Sequence, residues 1–92
     1  MAMRLVIPME AAPGMRDELI TTFRTLAPEV RQEDGCQGYE LYQSTERADH
    51  FVLLERWSDQ DALSVHGQRL RERGLDLASL RAGPSEVERY NE

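Results

Sequence analysis

Residues 50–66 read HFVLLERWSDQDALSVH, and the fold turns on how this stretch is read. Phe51 to Trp57 is a run of large apolar side chains broken only by Glu55 and Arg56, with the length and composition of a buried strand. Ser58 follows at once with Asp61 three residues on, an acidic variant of the capping-box signal that opens a helix. Ala62, Leu63 and His66 then recur at helical spacing. A strand therefore ends on an aromatic residue, turns tightly, and enters a helix with a histidine on its apolar side. Strand alternation puts Glu55 on the same face as Phe51 and Trp57, and the tight turn lays His66 over that face.

Upstream, Met3 to Met9 reads as a first strand, with Leu5, Ile7 and Met9 on one face and Arg4 and Val6 on the other. Pro8 lacks an N–H for a ladder bond, which places it near a strand end or at a sheet edge. Pro13-Gly14 marks a turn. Apolar residues at Met15, Leu19, Phe23, Leu26 and Val30 then trace one face of a long amphipathic helix over 15–33. Pro28 within it predicts a kink, or two helices abutting at Ala27. Asp34-Gly35 stops the helix, and Cys36 to Ser44 reads as a strand with Tyr39 and Leu41 on one face. The polar turn Thr45 to Asp49 joins it to Phe51 as an antiparallel hairpin, with His50 as an exposed strand start.

Downstream, the second helix runs from about Asp59 to Arg73 and ends at Gly74, a left-handed cap. Arg69, Arg71, Glu72 and Arg73 read as its solvated end. Leu75 to Leu80 predicts a further helical turn that buries Leu77 and Leu80. Gly83-Pro84 breaks it, and Ser85 to Tyr90 is the last strand. Strand, helix, strand, strand, helix, strand is the order of a ferredoxin-like α+β sandwich, βαββαβ, with helices on one face of a four-stranded antiparallel sheet. The third strand is apolar on both faces, with Val52 and Leu54 opposite Phe51, Leu53 and Trp57. Helices cover only one face, so the pattern predicts a homodimer through sheet-to-sheet packing.

The 92 residues make one domain, 1–92. Seventeen acidic against eleven basic residues give a net charge of −6, which repels a phosphate backbone, so no nucleic-acid partner is expected. Cys36 is the only cysteine, so no internal disulfide is possible and a reducing, cytoplasmic setting is expected. No stretch approaches the roughly 18 apolar residues of a spanning helix, and no membrane partner is expected. No cluster of Cys, His and carboxylates stands at ligand spacing and no Gly-rich dinucleotide loop occurs, so neither metal nor cofactor is expected.

Three segments, GCQGYELYQS from Gly35, FVLLERWSDQDALSVH from Phe51 and GPSEVERY from Gly83, resemble the antibiotic biosynthesis monooxygenase superfamily of dimeric α/β barrels. The resemblance covers essentially the whole chain. It implies a ferredoxin-like subunit, a homodimer whose two sheets form a barrel, and a pocket between sheet and helices. That superfamily includes monooxygenases that oxidise aromatic polyketides or quinols without metal or flavin, haem-degrading enzymes, and a phospho-sugar isomerase. The haem-degrading branch carries an asparagine near the end of its first strand; this chain has LVIPM there. Relatives with a second helix histidine have a Thr-Pro-His motif, where this chain has Gln68, Arg69 and Leu70.

Oxygenation without a cofactor needs an electron-rich substrate such as a deprotonated phenol, a dry cavity, a base near neutral pH and donors for the developing charge. His66 suits the base, since its unperturbed pKa lies near operating pH. Glu55 is placed to orient His66 or to hold an arginine. Trp57 and Tyr39 offer flat faces with a polar tip for a small aromatic molecule, and Phe51 adds to that surface. The expected catalytic set is therefore His66, Trp57 and Glu55, with Tyr39 and Phe51 binding substrate. The alternatives are a non-catalytic dimeric module that binds a small apolar ligand, and an isomerase of the same fold.

Overall fold

The computed structural model describes residues 1–92. Strand β1 (Met3–Glu10) leads to helix α1 (Arg16–Val30), the hairpin of β2 (Cys36–Gln43) and β3 (His50–Trp57), helix α2 (Gln60–Glu72), a 3-10 turn (Ala78–Leu80) and β4 (Glu88–Asn91). The sheet is antiparallel in the order β2-β3-β1-β4. This is the ferredoxin-like α+β fold expected from the element order, and the sheet is open rather than closed into a barrel.

Strict alternation in β3 buries Phe51, Leu53, Glu55 and Trp57 under the helices and leaves Val52, Leu54 and Arg56 half-buried on the open face. Leu5 and Met9 of β1 and Tyr39 of β2 join the covered face. From above, α1 contributes Leu19, Phe23, Leu26, Ala27 and Val30, the face given by its four-and-three spacing. Helix α1 runs through Pro28 as a single helix, so no pair of helices abuts at Ala27, and it ends at Val30, three residues short of the expected Glu33. Pro8 lies two residues from the end of β1, near a strand end as expected, although the strand is central and not a sheet edge. Pairing of β4 with β1 stops at Val6, so one flank of β1 is free at Pro8.

Helix α2 starts one residue later than the capping-box reading places it. Asp59, not Ser58, is the N-cap, and its Oδ1 accepts from Ala62 N at 2.8 Å. Ser58 is still engaged with the neighbouring loop, donating its N–H to Gly35 O at 2.8 Å. That loop fits only as glycine. Gly35 has φ +83°, and a Cβ there would lie 2.5 Å from Ala62 Cβ and 2.7 Å from Ser58 Oγ. The end of α1 is thereby pressed against the start of α2. A second tie joins the two helices, because Arg73 pairs with Glu29 instead of ending in solvent.

The last strand is shorter than the sequence reading. The segment before it is drawn to the end of β1, where Ala12 N donates to Leu80 O and Ala82 N to Glu10 O, each at 2.8 Å. Ala11 and Arg81 form an isolated bridge there, and Pro84 prevents the pairing from running on. Leu80 is buried as expected, and Leu77 packs partly buried against the same core. His50 is half-buried, not exposed, with Nε2 at 3.0 Å from Glu10 Oε1, its register partner.

Candidate active site

Under the helices the chain buries two acids and an imidazole side by side. Glu55 and Trp57 are two apart on β3, so both project toward the helices, and Trp57 Nε1–H donates to Glu55 Oε1 at 2.9 Å. His66 descends from α2 and stacks on the Trp57 indole, with ring centroids 4.6 Å apart and planes 28° apart. Tyr39 of β2 meets the imidazole edge-on at 5.5 Å. On its outer side His66 Nδ1 lies 3.2 Å from Glu33 Oε1, and on its inner side Nε2 lies 3.9 Å from Glu55 Oε1. A carboxylate only accepts, so the Glu33 contact places the imidazole proton on Nδ1 and turns Nε2 toward Glu55.

The side chains of Glu33, Glu55 and His66 are 8%, 6% and 5% exposed. Glu33 Oε2 has no partner at all. Burial pushes the Glu55 carboxyl above its usual range. The Trp57 hydrogen bond and the charge of His66 oppose that push, and the negative charge of Glu33 adds to it. Tyr39 is also pushed far up, by burial first and then by Glu55 and Glu33, so its hydroxyl stays protonated and is able to donate a hydrogen bond.

Beside this cluster lies a partly open cavity of about 160 Å³. Its walls are mostly apolar, among them Leu19, Phe23, Leu53, Leu70 and Leu77, and its only ionisable or hydroxyl-bearing residues are Glu55, Tyr39 and Arg81. Of the five residues that the sequence singles out, Glu55 and Tyr39 line the cavity. His66 and Trp57 stand behind Glu55 and do not line it. Trp57, fully buried, spends its face on His66. Phe51 is buried four residues up the strand from Glu55, about 13 Å away along an extended chain, and borders two open surface hollows instead.

Glu33 and Arg81 are functional candidates that the sequence reading passed over. For Glu33 a signal exists: Glu33 and Asp34 crowd the negative C-terminal end of α1, where acids are unfavourable unless something holds them. For Arg81 there is none, since its position depends on how the segment after α2 returns to β1. No group of three or more His, Cys, Asp or Glu side chains is arranged to hold a metal ion, and no helix is long and apolar enough to cross a membrane.

By architecture this is a ferredoxin-like domain that keeps an acid–imidazole cluster beside an apolar cavity. The chain belongs to the antibiotic biosynthesis monooxygenase family, whose model matches residues 2–70. It is 27% identical over 67 residues to YcnE of Bacillus subtilis strain 168, a protein named as a candidate monooxygenase, across 73% of this chain and 70% of that one. It is 35% identical over 54 residues to Rv0793 of Mycobacterium tuberculosis, named in the same way, and there the match spans 59% of this chain and about half, 52%, of the relative. The structure of Rv0793 superimposes with a TM-score of 0.86 over 100% of this chain and 95% of that one, at 25% identity. A conserved protein from Methanosarcina mazei Go1 superimposes with a TM-score of 0.88 at 26% identity, over 99% of this chain and 92% of that one.

Proposed function

We propose that the chain is a cofactor-independent monooxygenase that oxidises a small hydroxylated aromatic, a quinol, in the cavity under its helices. The observation that carries this reading is Glu55, a buried carboxylate with a raised pKa on the wall of an otherwise apolar cavity. A carboxylate whose pKa is raised toward operating pH is a stronger base for a phenol proton. Family membership and the candidate-monooxygenase names of two relatives point the same way.

In this scheme a ring hydroxyl of the substrate gives its proton to Glu55. His66 Nε2, turned toward Glu55, takes the proton onward, and Glu33 on Nδ1 balances the imidazolium that forms. The substrate anion is electron-rich enough to pass electrons to dioxygen, and the apolar wall keeps water from quenching the intermediates. Four electrons leave the ring in all. One oxygen atom enters the ring of the resulting hydroxyquinone and the other departs with two protons as water. Tyr39 supplies a hydrogen-bond donor for the charge that develops on oxygen.

The test is oxygen uptake by metal-stripped, flavin-free protein on a panel of hydroquinones, with expected consumption of one dioxygen per hydroxyquinone formed. Absence of uptake across a panel whose members bind would overturn it in favour of a non-catalytic ligand-binding module. The recessed position of His66 favours that second reading.

The open sheet face supports an assembly as well. Val6, Val52 and Leu54 are half-buried there, and Tyr42 and Tyr90 are 46% and 49% exposed. We infer that a second copy of the same face covers them about a two-fold axis. A cytoplasmic setting, where the lone thiol of Cys36 stays reduced, fits both readings.

A further inference from the structure

The cavity is small and carries a cation without a counter-ion. A cavity of about 150 Å³ lined by aliphatic and aromatic side chains accepts a benzene ring, and this one measures about 160 Å³. That volume matches one aromatic ring, and a second fused ring would have to extend out through the opening. Arg81 forms part of the wall and is half-buried. Its Nε is buried with no hydrogen-bond partner, and its Nη1 finds only the neutral Ser85 Oγ at 3.3 Å. None of the ion pairs in the molecule includes Arg81, although acids outnumber bases seventeen to eleven. The backbone on either side is fixed to the end of β1 through Leu80 and Ala82, so the guanidinium is carried on a tethered segment.

We propose that Arg81 receives the acidic end of the cavity's ligand, and that this ligand is a single-ring hydroxyarene bearing a carboxylate. A guanidinium is always charged and its planar fork matches a carboxylate with two parallel hydrogen bonds. Against an apolar wall such a pair is strengthened, because water competes less for either partner than it does at a fully exposed site. Glu55 and Tyr39 supply the other polar groups of the cavity. A hydroxyl on the same ring therefore meets Glu55 while the carboxylate meets Arg81. The inference rests on the cavity being the substrate site, and it narrows the quinols proposed above to acidic, monocyclic ones.

The experiment is calorimetric titration of the intact protein with 4-hydroxybenzoate, 4-hydroxybenzamide and 6-hydroxy-2-naphthoate. The expected result is binding of the benzoate about tenfold or more tighter than the neutral amide, as a lost charge-assisted pair implies, and weaker binding of the naphthoate than of the benzoate. Arg81→Gln should erase the preference for the acid, and Arg81→Lys should keep part of it. Equal affinity for acid and amide, an undiminished preference in Arg81→Gln, or tighter binding of the naphthoate would each overturn the proposal, as would failure of both single-ring probes to bind. The comparison of the three ligands on the unaltered protein stands even if an Arg81 variant fails to fold. Oxidation of 2,5-dihydroxybenzoate that survives unchanged in Arg81→Gln would sink this assignment and spare the oxygenase reading. Selective acid binding with no oxygen uptake would do the reverse.

Discussion

His66 and Trp57 are stacked with ring centroids 4.6 Å apart, so the imidazole is held by a residue that also donates to Glu55. One indole thus fixes both members of the proposed proton path: it orients Glu55 from the strand side and supports His66 from below. Glu33 completes the arrangement from the far side of the ring. The three acid–base groups come from the end of α1, from β3 and from α2, and the loop at Gly35 brings the first of these to the last.

Replacement of His66 by glutamine keeps a hydrogen-bonding side chain of similar reach but removes the proton acceptor behind Glu55. On a substrate that the wild type oxidises, His66→Gln should lower kcat by about a hundredfold or more, the scale of a general acid–base contribution. KM should change little, because His66 does not line the cavity. Full retention of kcat would remove His66 from the path. His66→Ala is the poorer probe, since His66 is only 4% exposed and truncation also opens a void against Trp57.

Glu55 predicts an unusual pH dependence of stability. Its folded-state pKa lies above its ordinary value, chiefly through burial, so the folded protein binds its proton more tightly than the unfolded chain does. The contribution is fully present below the ordinary carboxylate range and is lost as pH rises through the raised pKa. Urea denaturation should therefore show this part of the stability falling with pH upward from the ordinary carboxylate range. In Glu55→Gln, whose amide oxygen still accepts from Trp57, that fall should disappear. Identical pH profiles for the two proteins would show that burial does not penalise the ionised form.

Gly35 is where the cluster depends on backbone freedom. An alanine at φ +83° is itself strained by roughly 1–2 kcal/mol. Its Cβ would also collide with Ala62 and Ser58 and force the start of α2 away from the end of α1. Gly35→Ala should lower the unfolding free energy by more than about 2 kcal/mol in urea titrations. Gly74→Ala, at a positive φ with open space around it, should cost less. Equal costs at the two positions would mean that the close approach at Gly35 carries no energy.

Periodicity made most of this fold legible. Alternation in β3 assigns Glu55 and Trp57 to the covered face without any knowledge of partners, and helical spacing puts His66 on the inner side of α2. What periodicity does not encode is depth. The same pattern describes a histidine at a cavity mouth and one sealed behind a carboxylate, and the choice follows from Trp57 filling the space beneath it. Glu33 lies beyond the last turn of α1, where its environment is set by the Gly35 loop. Arg81 lies in a segment without period, and its place follows from backbone bonds to β1 that no local rule announces.

The open face of the sheet gives the last prediction. Cross-strand pairing places Leu54 between Val6 and Glu40, and Val52 between Pro8 and Tyr42, so an apolar patch crosses three strands. At one end Arg4 and Arg56 both reach Glu92 at 3.1 Å, which occupies their charges outside the patch. A second copy laid on this face buries the patch in both subunits, whereas a lone subunit leaves it wet. Leu54→Glu puts a carboxylate in the middle of that contact, next to Glu40 on the neighbouring strand. An unpaired charge in a buried contact costs several kcal/mol, enough to shift a micromolar dimer to monomers. The same substitution leaves the helix-covered core untouched, so the subunit should stay folded by circular dichroism while its sedimentation coefficient falls. Thr45→Glu, on the exposed hairpin turn, should stay folded and keep the wild-type sedimentation coefficient. A wild-type protein that sediments as a monomer at micromolar concentration, or a Leu54→Glu variant that remains dimeric, would show that this face is not the interface.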